Sequence, residues 1–555
     1  MLKVYRLICG VIVVAVLLGS CSKSEGGGTP TPSTLRLNSW VLDGKTSQTT
    51  YQNVAVKPAI RFNFSAPVDR SSAPASFSIK DLAGTAVTHT LSYERSDSVV
   101  VLSPAQPLKG FTSYKVALAK TLKNAAGGSL SQGTEFTIVT SLDSSDKFAR
   151  ISDEALLDLV QRQTFKYFWE FGHPVSGMAR ERNTSGDVVT TGGTGFGVMA
   201  MVTAIHRNFI SRAEGLARIQ KIVNFLEGAD KFKGAFPHWL NGATGKVQPF
   251  SAKDDGADLV ETSFLMQGLL TARQYFNGAD AAETGLRNDI NALWNAVEWD
   301  WFTKGGEDVL YWHWSPNFGW EMNHKIQGWN EALVTYVLAA ASPTHAIEKK
   351  VYDGGWARNG AMRNGATYYG HQLPLGPSHG GPLFFSHYSF LGINPKDLTD
   401  VYADYWQQAR AHSLIHYEYA KANPKGFAGY SSSVWGLTAS DDNKVGYLAH
   451  EPSNDNGVVA PTAALSSMPY TPEESMQALR FYYYILGDKL WKEYGFVDAF
   501  NLTDNWFAPS FLAIDQGPII VMIENHRSGL LWNLFMSAPE VKSGLRKLGF
   551  QSPHL

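Results

Sequence analysis

The polar and apolar positions of this chain change rhythm once. From about Ser33 to Ser141 they alternate in twos. Ile60, Phe62 and Phe64 alternate with Arg61 and Asn63, Tyr114, Val116 and Leu118 repeat the pattern, and Phe136, Ile138 and Thr140 close it. A period of two sends successive side chains to opposite faces of a half-buried strand. Val99 to Leu102 reads as a short apolar strand stopped by Pro104 and Pro107, and Ala126-Gly127-Gly128 reads as a turn. Short strands at this spacing predict an all-β sandwich over residues 35–141.

Ser141-Leu142-Asp143-Ser144-Ser145-Asp146 is a polar linker, and beyond it, over 150–555, the period becomes helical. Ser152-Asp153-Glu154 supplies a cap and first-turn acids, after which Leu156, Leu159, Val160, Tyr167, Phe168 and Phe171 follow helical spacing. Further helices are predicted over 196–208, 212–227, 258–276, 284–299, 331–341, 397–422, 472–486 and 518–536. Helices separated by Gly-, Pro- and aromatic-rich loops, without strand runs, predict a closed all-α toroid whose loops at one end form a cleft. An open helical solenoid is the alternative, and the lack of a short internal repeat counts against it.

Composition narrows the function. The formal net charge of −2 argues against a nucleic-acid partner, because phosphate binding needs a basic surplus. The 16 Trp and 23 Tyr suit a carbohydrate ligand, whose flat C–H faces pack on aromatic rings, and equally suit a large aromatic core. The two cysteines, Cys9 and Cys21, stand at the N-terminus, so the body of the chain has no disulfide, thiolate metal site or thiol catalysis. Lys3 and Arg6, the apolar run Leu7 to Leu18 and then Leu18-Gly19-Ser20-Cys21 resemble a bacterial lipoprotein signal over residues 1–21. That predicts lipidation of Cys21, a membrane anchor in the cell envelope and a flexible tether over 22–34. Periplasmic and outer-surface locations both fit, with Glu25 pointing to the surface.

The strongest candidate chemistry is Asp254-Asp255-Gly256-Ala257-Asp258-Leu259-Val260-Glu261. Spacings of four and then three put Asp254, Asp258 and Glu261 on one face if the segment is a helix. A carboxylate crowded by others is pushed toward its protonated form and becomes a proton donor near neutrality. The helix dipole explains Asp254 and Asp255 well, but Glu261 poorly. In Gly328-Trp329-Asn330-Glu331, Glu331 is either a first-turn acid behind an Asn330 cap or a cleft acid. Before it, Trp312, His313, Trp314 and Trp320 crowd one loop and read as a sugar-stacking wall. His387-Tyr388 reads as a hydroxyl-binding pair or a structural histidine, Glu451 as part of a polar cleft wall, and Asp515 as a cleft acid or a helix cap. Gly192-Gly193-Thr194-Gly195-Phe196-Gly197 has neither a preceding βαβ pattern nor a P-loop lysine, and reads as a tight cleft loop. His-Glu-x-x-His and calcium-loop acids are absent, so neither a metal nor another cofactor is expected.

Two resemblances follow from these stretches. Phe64-Ser65-Ala66-Pro67-Val68-Asp69 and the turn Leu102 to Leu108 are similar to bacterial Ig-like modules, which implies a spacer. Thr191 to Gly197, Asp254 to Glu261, Gly328 to Ala332, Pro382-Leu383-Phe384 and Ile514 to Ile519 together resemble the bacterial glycoamylase-like domain of glycoside hydrolase family 144, over about Arg150 to Leu555. The resemblance implies an (α/α)6 barrel, a β-1,2-glucan substrate and inverting hydrolysis. It also implies that acids essential to the family fall on Asp254, Asp258, Glu261 and Glu331. Endo action on sophoro-oligosaccharides is the first expectation, with exo action or another β-glucan linkage as the alternative, and a monomer is expected. An inverting mechanism needs an acid and a base roughly 6.5–9.5 Å apart. We expect Glu261 and Glu331 to face each other across the cleft. Two rivals remain: a polysaccharide lyase using His387 and Tyr388, and a non-catalytic glycan-binding lipoprotein.

Overall fold

A computed structural model describes residues 33–555, so the leader, Cys21 and nearly all of the tether lie outside the described residues. The described chain divides into two compact units between Asp143 and Ser144. The first has nine strands: β1 Leu37–Leu42, β2 Lys45–Thr46, β3 Thr50–Val54, β4 Ile60–Phe64, β5 Phe77–Asp81, β6 His89–Glu94, β7 Val99–Pro104, β8 Ser113–Leu118 and β9 Thr134–Thr140. They form two sheets in the orders β2-β1-β4-β7-β6 and β3-β9-β8-β5. The alternation read in the sequence points Phe62, Phe77, Val116, Phe136 and Ile138 into one buried core. Strand β7 runs on to Pro104, whereas the proline was expected to stop it. There Pro104 pairs only with His89 of β6, beyond the last β4 partner of β7, so its missing N–H breaks no bond toward β4.

The second unit has twelve helices of six or more residues: α1 Asp153–Trp169, α2 Thr191–His206, α3 Arg212–Gly228, α4 Leu259–Tyr275, α5 Ala281–Asn295, α6 Leu333–Ala341, α7 Tyr405–Ala422, α8 Pro461–Ser466, α9 Pro472–Arg480, α10 Ala513–Arg527, α11 Leu530–Ser537 and α12 Pro539–Leu548. Caps set several boundaries that periodicity misplaces. Asp280 accepts from the amides of Ala282 and Glu283 and starts α5 early, while Asp404 accepts from Gln407 N and starts α7 late. The predicted helix 518–536 is two helices, broken at Gly529 with φ 70°.

The glycine-rich stretch 192–197 is not a cleft loop but the first turns of the buried helix α2. Its glycines serve close packing. A Cβ on Gly195 would stand 2.1 Å from the Phe264 carbonyl oxygen, and one on Gly268 would stand 2.1 Å from the Gly195 carbonyl oxygen. Helices α2 and α4 therefore approach backbone to backbone. G195A is expected to force them apart and cost about 1–3 kcal/mol, read as a lower melting temperature. A variant that melts with the wild type would mean that the approach does not matter. Helix α10 packs against α1, α2 and α8, and its fully buried Glu524 accepts both Nε and Nη2 of Arg207 at 2.8 and 2.9 Å. No helix among the described residues is long and apolar enough to cross a membrane.

Candidate active site

The predicted helical stack of Asp254, Asp258 and Glu261 does not form; only Glu261 lies in α4. Ala257–Asp258 is instead a short strand paired with His313–Trp314. Gly256 permits this, since a Cβ there would meet the Trp314 carbonyl oxygen at 2.2 Å. Asp258 becomes the cap of α4, accepting from Glu261 N at 2.9 Å, and Asp254 sits in the preceding turn.

The strand pairing brings histidines among the acids. Asp258 Oδ2 lies 3.0 Å from His238 Nδ1 and 3.5 Å from His313 Nε2, and His313 Nε2 is 3.3 Å from Asp254 Oδ2. His238 Nε2 stands 3.9 Å from Glu261 Oε1. The result is a chain, Asp254–His313–Asp258–His238–Glu261. Burial works against charging the two imidazoles, but the carboxylates around them outweigh it and raise both to about 9. Burial likewise works against ionising Asp258, but its two histidine partners prevail and hold it far below the ordinary carboxylate range. Glu261 is shifted the other way. Burial raises it, and the nearby charge of Asp258 adds to the effect, against the pull of His238 and the Gly192 N–H that donates to Oε2 at 2.6 Å.

Glu261 and Glu331 line one cavity of about 400 Å³. Glu331 is not a first-turn residue of α6. It lies in the turn before the helix, where Asn330 Oδ1 accepts from Ala332 N at 2.9 Å, and α6 begins at Leu333 without a side-chain cap. Burial, then the charges of Glu261 and Asp258, push the Glu331 carboxyl up to about 7. The apolar walls are Trp239, Phe250, Phe264, Trp312, Phe384 and Tyr388. Phe250 stacks on His238 with ring centroids 4.2 Å apart, and Trp312 stacks on His324 at 4.9 Å.

The other predicted residues divide. Trp312 and Tyr388 line the cavity. His313 is buried in the carboxylate chain behind it. Trp314 and Trp320 are not part of the wall, because both pack on Trp301, Trp320 also against Phe302 and Tyr311. His387 is 2% exposed, pairs with Ser467 Oγ at 3.0 Å and is driven down to about 3 by burial and by His412. It is a structural histidine and offers no base for lyase chemistry. Glu451 sits in its own turn, accepting from Ser453 Oγ at 2.6 Å, and does not line the cavity. Asp515 is buried beside Asp498, off the cavity surface, while Leu512 and Ile514 line it. Sequence reading missed Glu181, Arg182, Thr190, His238, Trp239 and Phe250. The run Phe236-Pro237-His238-Trp239 carried a usable signal, a histidine between aromatics next to a proline.

His238, Asp254 and Asp258 also have the ligand types of a cation site, with one atom of each within 4.8 Å of the others. Asp258 also accepts from His238 and lies 3.5 Å from His313 Nε2, so the same atoms serve the carboxylate–imidazole chain.

An all-α barrel with buried carboxyls lining an aromatic-walled cavity fits a glycoside hydrolase. Residues 323–539 match the glycoamylase family, described as "Putative glucoamylase", residues 43–140 match a bacterial Ig-like domain family, and 160–256 match a family of unknown function. A "putative glucoamylase" of Bacteroides uniformis is 57% identical, with a TM-score of 0.72 over 74% of this chain and 100% of that one. An endo-β-1,2-glucanase of Chitinophaga pinensis, solved with sophorotriose and glucose, is 54% identical, with a TM-score of 0.72 over 73% of this chain and 100% of that one. A β-1,2-glucanase of Parabacteroides distasonis is 40% identical, with a TM-score of 0.70 over 94% of this chain and 74% of that one. The exo-β-1,2-glucooligosaccharide sophorohydrolase (non-reducing end) of Parabacteroides distasonis is 50% identical over 421 residues. This chain spans 58% of that curated relative's length. The chain belongs to this glucoamylase-like family of glycoside hydrolases, with an Ig-like domain before the helical unit.

Proposed function

We propose that the protein hydrolyses β-1,2-linked glucooligosaccharides, releasing sophorose from the non-reducing end with inversion. The observation that carries this reading is a cavity walled by aromatic rings in which one carboxyl, Glu331, is held near neutrality. Glu331 is the candidate proton donor to the departing glycosidic oxygen. Glu261 is the candidate base for water, with His238 charged beside it to favour the carboxylate. Trp312 and Phe250 offer apolar faces to the sugar rings. The exo reading, the alternative at the level of sequence, is supported by the sophorohydrolase relative, and the Chitinophaga pinensis relative favours endo action as the second reading.

Linear β-1,2-glucan beside β-1,3- and α-1,4-glucans is the test, with products followed by thin-layer chromatography from the first minutes. Exo action predicts sophorose alone from the start, whereas an early ladder of lengths would establish endo action. No reducing ends from β-1,2-glucan would refute the substrate assignment, and a product anomer matching the substrate by NMR would refute inversion. W312A is expected to raise KM about tenfold with little change in kcat, from loss of one stacking face. A fall confined to kcat would place Trp312 in another role. Lipid anchoring at Cys21 in the cell envelope is also proposed, on the sequence alone. Incorporation of labelled fatty acid that survives in C21A would overturn it.

A further inference from the structure

Behind the Arg182 side of the cavity lies a second group of carboxyls. Arg182 Nε contacts Glu181 Oε2 at 3.0 Å and its Nη1 contacts Asp441 Oδ1 at 3.1 Å. Asp441 also accepts from the Ser510 hydroxyl through Oδ2, and its amide donates to Asp498 Oδ2 at 2.7 Å. Asp515 of α10 lies beside Asp498, and the two buried carboxyls interact directly. Both are 2% exposed, and neither Asp498 Oδ1 nor Asp515 Oδ2 meets an N–H or hydroxyl donor among the described residues. Four carboxyls and one guanidinium are packed together. Two touching carboxylates without a cation between them cannot both be ionised. Other groups facing the pair are Tyr388 and, from the hairpin carrying Asp441, Tyr447, and α8 contributes the Thr462 hydroxyl, which donates to the Asp515 carbonyl at 2.9 Å.

We propose that Asp498 and Asp515 share one proton, and that this pair positions Arg182 through Asp441, so that the guanidinium is presented to a sugar hydroxyl in the cavity. The proposal rests on reading the cavity as a glucan site. Asp515 is thereby a positioning residue that never touches substrate. Burial, then repulsion within the carboxyl group, pushes Asp498 up to about 7 and Asp515 well above the ordinary carboxylate range. Loss of the shared proton above neutrality puts two charges beside Asp441 and loosens its hold on Arg182.

D515N tests this, because an amide donates to Asp498 as the protonated carboxyl does and cannot ionise. An acid raised on folding contributes its full stability below its unfolded value, near 3.9, and loses it as pH rises toward the folded value. The wild type therefore loses stability with pH at this site and D515N does not. The melting temperature of D515N relative to wild type should climb from pH 5 to pH 8. A constant difference overturns the shared proton, and D498N serves as the second variant if D515N does not fold. With sophorotriose as the probe, the wild-type KM should rise about tenfold above neutrality, the worth of one charged hydrogen bond. In D515N the KM should stay level, while kcat follows the same pH curve in both proteins. A melting difference that climbs without any difference in KM overturns the link to Arg182. If the wild type turns over no β-1,2-oligosaccharide, the glucan reading falls, and the melting comparison still decides whether the proton is shared.

Discussion

Glu331→Gln is expected to give a folded protein whose kcat is lower by about 10³-fold, the scale of a lost general acid. The amide keeps the shape of the carboxyl and removes its proton. KM should change little, because the interaction is made in the transition state. The pH dependence is the sharper test. A proton donor works only while protonated, and burial places Glu331 at about 7. Wild-type kcat should hold below neutrality and fall as pH rises through about 7, whereas the residual activity of E331Q should lack that decline. Steady-state kinetics from pH 5 to pH 9 check both. Wild-type turnover in E331Q would remove Glu331 from the chemistry, and an alkaline decline that persists in the variant would assign that decline to another group.

Asp258→Asn should damage stability and activity together. Asp258 is completely buried, caps α4 through Glu261 N, and is the counter-ion of His238 and His313. Removing one partner from a buried charge pair costs about 3–5 kcal/mol, because the remaining charge is left unpaired. The sign in pH follows from the imidazoles. Their folded values, about 9, lie above the ordinary histidine range. Their contribution is therefore fully present below about 6.5 and lost as pH rises through about 9. The stability gap between wild type and D258N should thus be widest between about pH 4 and about pH 6.5, shrinking above pH 9 and also in stronger acid, where Asp258 itself becomes protonated. In NMR titrations His238 should fall from about 9 toward the ordinary histidine range in the variant. Activity should drop about 10²-fold or more, since Glu261 loses the charged neighbour that favours its carboxylate. A variant in which His238 still titrates near 9 would show that Asp258 is not its main partner.

The two-unit division and both secondary-structure classes were legible because they are written in period, and period survives without knowledge of neighbours. The alternation at Ile60, Phe62 and Phe64 became β4, and the spacing from Leu156 to Phe168 became α1. Local rules failed where a distant segment competes with helical propensity. Asp258 reads as a helical residue on spacing alone, yet pairing with His313–Trp314 draws it into a strand and leaves it as the cap. Gly192 to Gly197 reads as loop on composition, yet α4 needs a face without Cβ atoms to pack against. Trp314 and Trp320 looked equal to Trp312 in the same run, but only contact with Trp301 separates packing rings from a cavity-lining one.

By itself the amino-acid order determined which residues had to be buried, where the all-β unit gives way to the all-α unit, and which acids were worth watching. It did so because hydrophobic periodicity and acid spacing are local quantities. Only the tertiary structure decided what those acids are. It set His238 beside Glu261, enclosed Asp258 between two imidazoles, lifted Glu331 toward neutrality and withdrew Asp515 behind the wall with Asp498. Proton affinity is set by burial and by charges a few ångströms away, and those neighbours come from segments far apart in the chain.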